Sequence, residues 1–306
     1  MNYRSANEYY HSLFGDKVYR IALDAGCTCP NRDGTVGTGG CIFCSGMGSG
    51  EFAANRNLPI SEQLREAKTR VSDKCTSRKY IAYFQNFSNT YGDEKVLSAK
   101  YDEALSDDEV VGISIATRPD VISERMYDIL ADLAKRTHVW IELGLQSIHE
   151  STAQWMRRGY PLSVFEKTVR RLNEISGLDI IVHIILDMPC ETKSQMMETV
   201  DYCAHLPIHG LKIANLNVLR GTDLGEQYLR EPFPLMELDE YIDFLGKVIS
   251  RLPKDLVIYR MTGDGAKRDL IAPMWVANKR QTRNRIDAYL KEKQIVQGSD
   301  STEYPS

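Results

Sequence analysis

The sequence predicts an α/β fold, an open or partial (β/α)6-type barrel with a C-terminal extension. Three observations predict it. Short β-rich runs alternate with segments of helical spacing, the pattern of parallel βαβ units. Several of those runs are near-continuously apolar, as in strands buried on both faces. No sequence repeat or long linker interrupts the alternation, so six or seven units follow one another. The expected division is an N-terminal extension over 1–15, the barrel over 16–250, a basic C-terminal extension over 251–293, and a mobile polar tail over 294–306.

The candidate strands, in order, are Val18–Asp24, Tyr80–Phe87, Val111–Ala116, His138–Leu145, Ile180–Leu186, Leu211–Leu219 and Leu256–Arg260. Each joins β-branched or aromatic residues to a turn or cap signal. The helical patterns between them are Ser61–Ser72, Ser123–Arg136, Leu162–Ser176, Ser194–His205 and Leu238–Arg251. Ser163 with Glu166 has capping-box spacing. Ser61 is placed to cap its helix alone, with Glu62 in the first turn favouring the helix dipole.

The bulk numbers set limits. A chain of 306 residues, 42% hydrophobic, has enough apolar surface for a sizeable core. A charged fraction of 26% and a net charge of −4 give no global basic excess of the kind that marks nucleic-acid binders. The apolar runs fall well short of the ~20 residues of a membrane helix. The polar N-terminus, MNYRSANEYYHSLFGDK, has no signal-peptide core, so the expectation is a cytoplasmic protein with no membrane partner. In that compartment the seven cysteines are expected as thiols or metal ligands more than as disulfides.

Four of the seven lie in CTCPNRDGTVGTGGCIFC, residues 27–44, straight after the first strand. In barrels this is the end that carries chemistry. Asp33-Gly34 is a turn signal, and Gly39-Gly40 allows a sharp bend into Cys41. Zinc sites favour two C-x₂₋₄-C pairs, and only Cys41–Cys44 is one, so iron–sulfur is the leading reading and zinc the alternative. Cys27 and Cys29 are alternate residues and can point the same way in extended chain. Cys75, Cys190 and Cys203 stand at unrelated spacings and read as small buried hydrophobes.

The C-x₁₁-C-x₂-C pattern, with Phe43 before its last cysteine, resembles the radical S-adenosylmethionine superfamily. The usual spacing there is C-x₃-C-x₂-C. The longer gap, with CPNRDG and GGCIFC, resembles the YtqA/YhcC branch, a relative of the radical domain of the elongator catalytic subunit. Further matches run in order along the chain: KVYRIALDAG, YFQNFSNTY, ISIATRPDVI, ELGLQS, RRGYP, HIILDMPCET, NVLRGTDLGEQY and YRMTGDGAKRDLIAPMW. The resemblance implies a radical S-adenosylmethionine barrel and an enzyme that cleaves the cofactor reductively at a [4Fe–4S] cluster to give a 5′-deoxyadenosyl radical. Cys29, Cys41 and Cys44 align with the cluster ligands, leaving one iron open for S-adenosylmethionine. Cys27 falls where relatives tend to carry an aromatic and is expected to be a bystander. A low-potential electron donor, such as a flavodoxin or ferredoxin, is implied as a partner.

Polar side chains collect at the predicted strand ends. Gln85, Asn86 and Ser88 occupy the place of the superfamily's Gly-Gly-Glu segment. They are candidate cofactor-binding residues, with a polar turn as the alternative. Phe43, Ser114, Thr117, Arg118, Gln146 and Asn215 join them. Arg118 has the fork for a two-pronged carboxylate contact, and Asn215 alternates with Asn217 on one face of the sixth strand. Glu142, His183 and Asp187 are the candidate catalytic residues. The alternatives are a structural pairing of Glu142 with Arg118 or Arg158, and His183 as a satisfied core residue. Relatives often read LGLPGE where this chain reads LDMPCE, so Asp187 and Cys190 depart from the pattern.

From Arg260 to Lys293 the Lys/Arg residues outnumber Asp/Glu, so this segment is basic while the rest of the chain is acidic. Arg260, Lys279, Arg280, Arg283 and Arg285 are candidate phosphate contacts, with a solvated helix face as the alternative. The elongator resemblance implies tRNA as partner, and the branch implies conversion of 5-carboxymethylaminomethyl-uridine toward 5-aminomethyl-uridine at the wobble position. A radical enzyme acting on a small metabolite or protein, and a non-enzymatic zinc protein that binds RNA or protein, are the competing readings.

Overall fold

The computed structural model describes residues 2–46, 48, 54–74 and 76–300. Its strands are β1 (Tyr19–Leu23), β2 (Tyr80–Phe84), β3 (Val110–Thr117), β4 (His138–Gln146), β5 (Leu178–Leu186), β6 (Gly210–Asn215), β7 (Val218–Leu219), β8 (Val257–Arg260) and β9 (Leu270–Ala272). Its helices are α1 (Ala6–Phe14), α2 (Ile60–Val71), α3 (Glu94–Leu105), α4 (Glu124–Ala134), α5 (Glu150–Trp155), α6 (Leu162–Asn173), α7 (Lys193–Ala204), α8 (Asp223–Arg230), α9 (Leu238–Arg251) and α10 (Lys279–Glu292). One parallel sheet of seven strands runs in the order β1-β2-β3-β4-β5-β6-β8 and curls into a half-barrel. Neighbours in the sheet follow chain order because each connection carries at least one helix back over the outer face.

Strand alternation gives the sheet two unlike faces. The outer one buries Leu23, Phe84, Ile113, Ile141 and Val182 or their neighbours against Leu64, Tyr101, Leu130, Val169, Val200 and Leu245 of the helices. The inner one is layered. Ile81, Trp140 and Ile181 form an apolar floor with Tyr10 of α1. Tyr10 meets Trp140 edge-on at 5.5 Å, an aromatic contact of about 0.5–1.5 kcal/mol beyond its burial. Two residues further along the same strands stand Tyr83, Glu142 and His183, a polar layer resting on that floor. Gly112 makes room for the floor, since a Cβ there would meet the Trp140 ring at 2.6 Å.

Several local expectations are corrected. The run Leu211–Leu219 is two strands, because β7 leaves the main sheet and pairs antiparallel with β9. The Ser163–Glu166 box does not form. Extended Pro161 caps α6 two residues sooner, and Glu166 accepts instead from the Tyr202 hydroxyl at 2.9 Å. Ser61 lies inside α2, which follows extended Pro59, and its hydroxyl donates to Glu103 at 2.7 Å. Capping boxes occur at Ser5–Glu8 and Thr192–Gln195. Residues 294–300, expected in the mobile tail, pack: Gln297 is buried and donates to the Leu256 carbonyl at 2.8 Å. Residues 301–306 and Cys75 lie outside the described residues. Cys203 is buried as expected, but Cys190 is exposed. No helix among the described residues is long and apolar enough to cross a membrane.

Candidate active site

The cysteine loop leaves β1 and folds over the C-terminal ends of the strands. Its own hydrogen bonds shape it. Arg32 N donates to Cys29 O at 2.8 Å, Gly40 N to Asn31 O at 2.7 Å, and Cys44 N to Cys41 O at 2.9 Å. Gly40 sits at φ 76°, a backbone conformation that a side chain would strain. Arg32 ties the loop's end down by donating to the carbonyls of Cys44 at 2.9 Å and Ser45 at 2.6 Å. Asn31 ties its middle to the segment after α5, donating to Arg157 O at 2.6 Å and lying 3.6 Å from the Cys41 sulfur.

Cys29, Cys41 and Cys44 line one cavity of about 220 Å³, together with Arg118, Thr117 and Gln146 among others. Cys27 does not. It is buried among the core apolar side chains, and burial pushes its thiol up to about 11. Cys41 is raised to about 12, by burial and then by the neighbouring Cys44 and Cys29, with Arg118 and the Asn31 amide opposing. Three thiols around one hollow, with a cation and an amide N–H nearby, fit the donor set of a three-cysteine cluster. No group of three or more His, Cys, Asp or Glu among the described residues is gathered to hold a single ion. A cubane presents a separate iron to each thiol, so its ligands stand wider apart than those of one ion.

A second cavity of about 200 Å³ adjoins the first and shares Phe43, Gln85, Gln146, His183 and Arg260 with it. Lys212, Asn215 and Asn217 complete its polar side. Beneath both lies Glu142, fully buried and the acceptor for five side chains. Arg20 and Lys212 pair with it, His183 Nε2 bonds it at 2.8 Å, Ser114 Oγ at 2.8 Å and Tyr83 Oη at 3.0 Å. Burial alone would raise its carboxyl, but Arg20, Lys212 and His183 outweigh burial and hold it well below the carboxylate range. His183 is depressed to about 4, first by burial and then by Lys212, so the ring is neutral at pH 7. Its Nε2–H then donates to Glu142. Burial, Arg20 and Arg260 press the Lys212 ammonium well below its ordinary value against the pull of Glu142.

The predicted residues divide accordingly. Phe43, Gln85, Ser88, Thr117, Arg118, Gln146, Glu142, His183, Asn215 and Arg260 line one or both cavities. Asn86 faces away and donates to Asp24 at 2.6 Å. Ser114 serves the Glu142 network. The two-pronged partner of Arg118 is Asp120, at 2.9 and 2.7 Å, and the partners of Glu142 are neither Arg118 nor Arg158. Asn215 holds the Gly263 turn, accepting from Gly263 N at 2.8 Å.

Asp187 lines neither cavity. It sits at φ 70°, in the left-handed region, which Asp tolerates better than most residues. Its carboxylate accepts from Met236 N at 2.9 Å, and burial raises it to about 6. The basic extension is largely neutralised: Lys279 pairs with Asp264, Arg283 with Asp287 and Arg285 with Asp239. Arg280 has no ion pair among the described residues. Arg260 belongs to the cavities more than to the outer face. Sequence reading missed Arg20, Tyr83 and Lys212. The available signal was a lone cation inside each of two apolar strands, VYRIAL and LKIANL.

Residues 31–203 match the family described as the Radical SAM superfamily, and residues 208–292 match the Radical_SAM C-terminal domain. The chain is 40% identical over 296 residues to the uncharacterized protein YtqA of Bacillus subtilis (strain 168), covering 97% of this chain and 92% of that protein. It is 30% identical over 287 residues to protein YhcC of Escherichia coli (strain K12), covering 94% and 91%. The structure of archaeal Methanocaldococcus infernus Elp3, with an N-terminal deletion, superposes with a TM-score of 0.69 at 17% identity, over 92% of this chain and 64% of that one, which shows the shared fold.

Proposed function

The chain belongs to the radical SAM superfamily, whose enzymes use a [4Fe–4S] cluster and S-adenosylmethionine, and on that premise we propose that it modifies a wobble uridine of tRNA. The proposed reaction takes 5-carboxymethylaminomethyl-uridine toward 5-aminomethyl-uridine. The observation that carries this reading is the cavity pair: a three-thiol hollow opening directly into a second, polar hollow at the strand ends. The resemblance to the elongator catalytic subunit supplies the substrate class.

Cys29, Cys41 and Cys44 hold the cluster in this reading. When bound, cluster and cofactor supply the radical that takes a hydrogen atom from the carboxymethyl carbon. The chain's own residues hold, orient and shield. Gln85 and Gln146 stand on the wall between the hollows and orient polar groups on either side. Neutral His183, fixed by Glu142, presents its other ring nitrogen as an acceptor. The apolar floor of Trp140, Ile81 and Ile181 keeps water from below. Phe43, partly buried against the core, closes the loop side.

Nucleoside mass spectrometry of tRNA from a deletion strain tests the reading. The expected result is accumulation of the carboxymethylaminomethyl form and loss of the aminomethyl form. An unchanged wobble-uridine profile refutes it. That outcome favours the second reading, a small metabolite or protein substrate, which the ion-paired cations of α10 support.

A further inference from the structure

We propose that Lys212 and Arg260 form a subsite for a carboxylate carried by the substrate. The sheet puts them side by side. Lys212 pairs in register with His183 on β5 and with Arg260 on β8, so three basic side chains form one row across adjacent strands. The register shift after Leu211 admits Tyr259 as an extra residue and brings Arg260 opposite Lys212. On the β4 side the row continues with Gly144, where the Gln146 amide fills the space, 2.5 Å from where a Cβ would stand.

Donors in this row exceed their acceptors. The Lys212 ammonium has three N–H donors. It bonds Glu142 and, at 3.3 Å, the Tyr83 hydroxyl, which leaves one donor with no partner among the described residues. Arg260 has five donors and one long contact, to Asp264 at 3.4 Å. Both line the second cavity.

Charge gives the same answer. Arg20 and Lys212 share Glu142, while Arg260 reaches Asp264 only at 3.4 Å, so three cations are set against two carboxylates, one of which also pairs with Lys279. Lys212 is only 6% exposed, and a buried cation without its own counter-charge is destabilising. A ligand carboxylate supplies that charge together with two acceptor oxygens. Arg260 lines both cavities and Lys212 only the second, so the subsite sits where the two meet, on the side away from the cysteines. The wobble-uridine reading enters only in naming the carboxymethyl arm as the carboxylate.

Saturation-transfer NMR on the anaerobically reconstituted holoenzyme tests the subsite, with acetate as probe, acetamide as neutral control and S-adenosylmethionine saturating. Acetate is expected to bind and acetamide not. One lost charge-assisted bond should weaken acetate about tenfold or more in Lys212→Met and in Arg260→Gln. Arg260 is partly exposed, so its variant keeps the test valid if Lys212→Met folds poorly. Acetate binding that survives in Arg260→Gln and in a folded Lys212→Met, that is shared by acetamide, or that S-adenosylmethionine abolishes overturns the proposal. A second arm compares the nucleoside 5-carboxymethylaminomethyluridine with its methyl ester on the wild type. If acetate behaves as expected and acid and ester bind alike, the subsite stands and the wobble-uridine reading falls.

Discussion

His183 should make the fold acid-sensitive, and the size of the effect follows from its surroundings. The ring is depressed from 6.5 to about 4 by burial and by Lys212. In the unfolded chain it takes a proton near its ordinary value, whereas in the folded chain it stays neutral until far lower pH. Its contribution is therefore fully present above pH 6.5 and is lost as the pH falls toward about 4. At 1.36 kcal/mol per pKa unit, the loss between about pH 7 and about pH 5 is about 2 kcal/mol. Glu142, Lys212 and Arg260 face the ring and remain in a His183→Gln variant, so the comparison isolates the imidazole. Urea titrations of both proteins, purified without cluster and followed by circular dichroism at the two pH values, read it out. The stability gap between wild type and His183→Gln should shift by about 2 kcal/mol, with the wild type losing more on acidification. A gap that is the same at both pH values would refute the neutral, partly buried ring.

Other expectations follow from the same geometry. Cys27→Ala should still bind about four irons per chain, while Cys29→Ala, Cys41→Ala and Cys44→Ala should each lose the cluster, measured by iron and sulfide content after anaerobic reconstitution. Glu142→Gln should lower stability by about 3–5 kcal/mol in urea unfolding, because buried Lys212 and partly buried Arg20 lose their carboxylate; a change below about 1 kcal/mol contradicts the network. Asp187→Val should lower stability by about 2–3 kcal/mol through its left-handed backbone and the lost Met236 bond, while Asp187→Gly stays within about 1 kcal/mol; equal thermal shifts for the two would remove the backbone argument.

Much of the fold was legible because its signals are local. β1 to β5 fall within a few residues of their apolar runs, since strands buried on both faces show as continuous hydrophobic stretches. The helices α1, α3, α5 and α8 were not read. The apolar pattern of α3 is weak, and α1 is set by its Ser5–Glu8 box and its place under the barrel. The join of β6 to β7 was invisible because the apolar run does not stop where the sheet partner changes. In the site, the strand-end rule pointed to Gln85, Gln146 and His183, which line both cavities. Arg118 lines the thiol-bearing cavity, but its two-pronged partner is a neighbour two residues away, while Asp187 lines neither cavity and is held by a segment on the far side of α7 and α8.

The sequence alone determined the order of the βα units and the cysteine spacing, because both are written in short-range periodicity and turn chemistry. It also singled out Cys29, Cys41 and Cys44 over Cys27 through resemblance. Only the tertiary structure sets them apart in space. Past the end of β1 the chain sends Cys27 into the core beneath α3, while the turns of the glycine-rich loop bring the other three to one hollow. It likewise decided the partners of Glu142 and the row His183, Lys212 and Arg260. Those residues meet only through the register of parallel strands, and the hydrogen bonds that fix that register join segments the sequence keeps far apart.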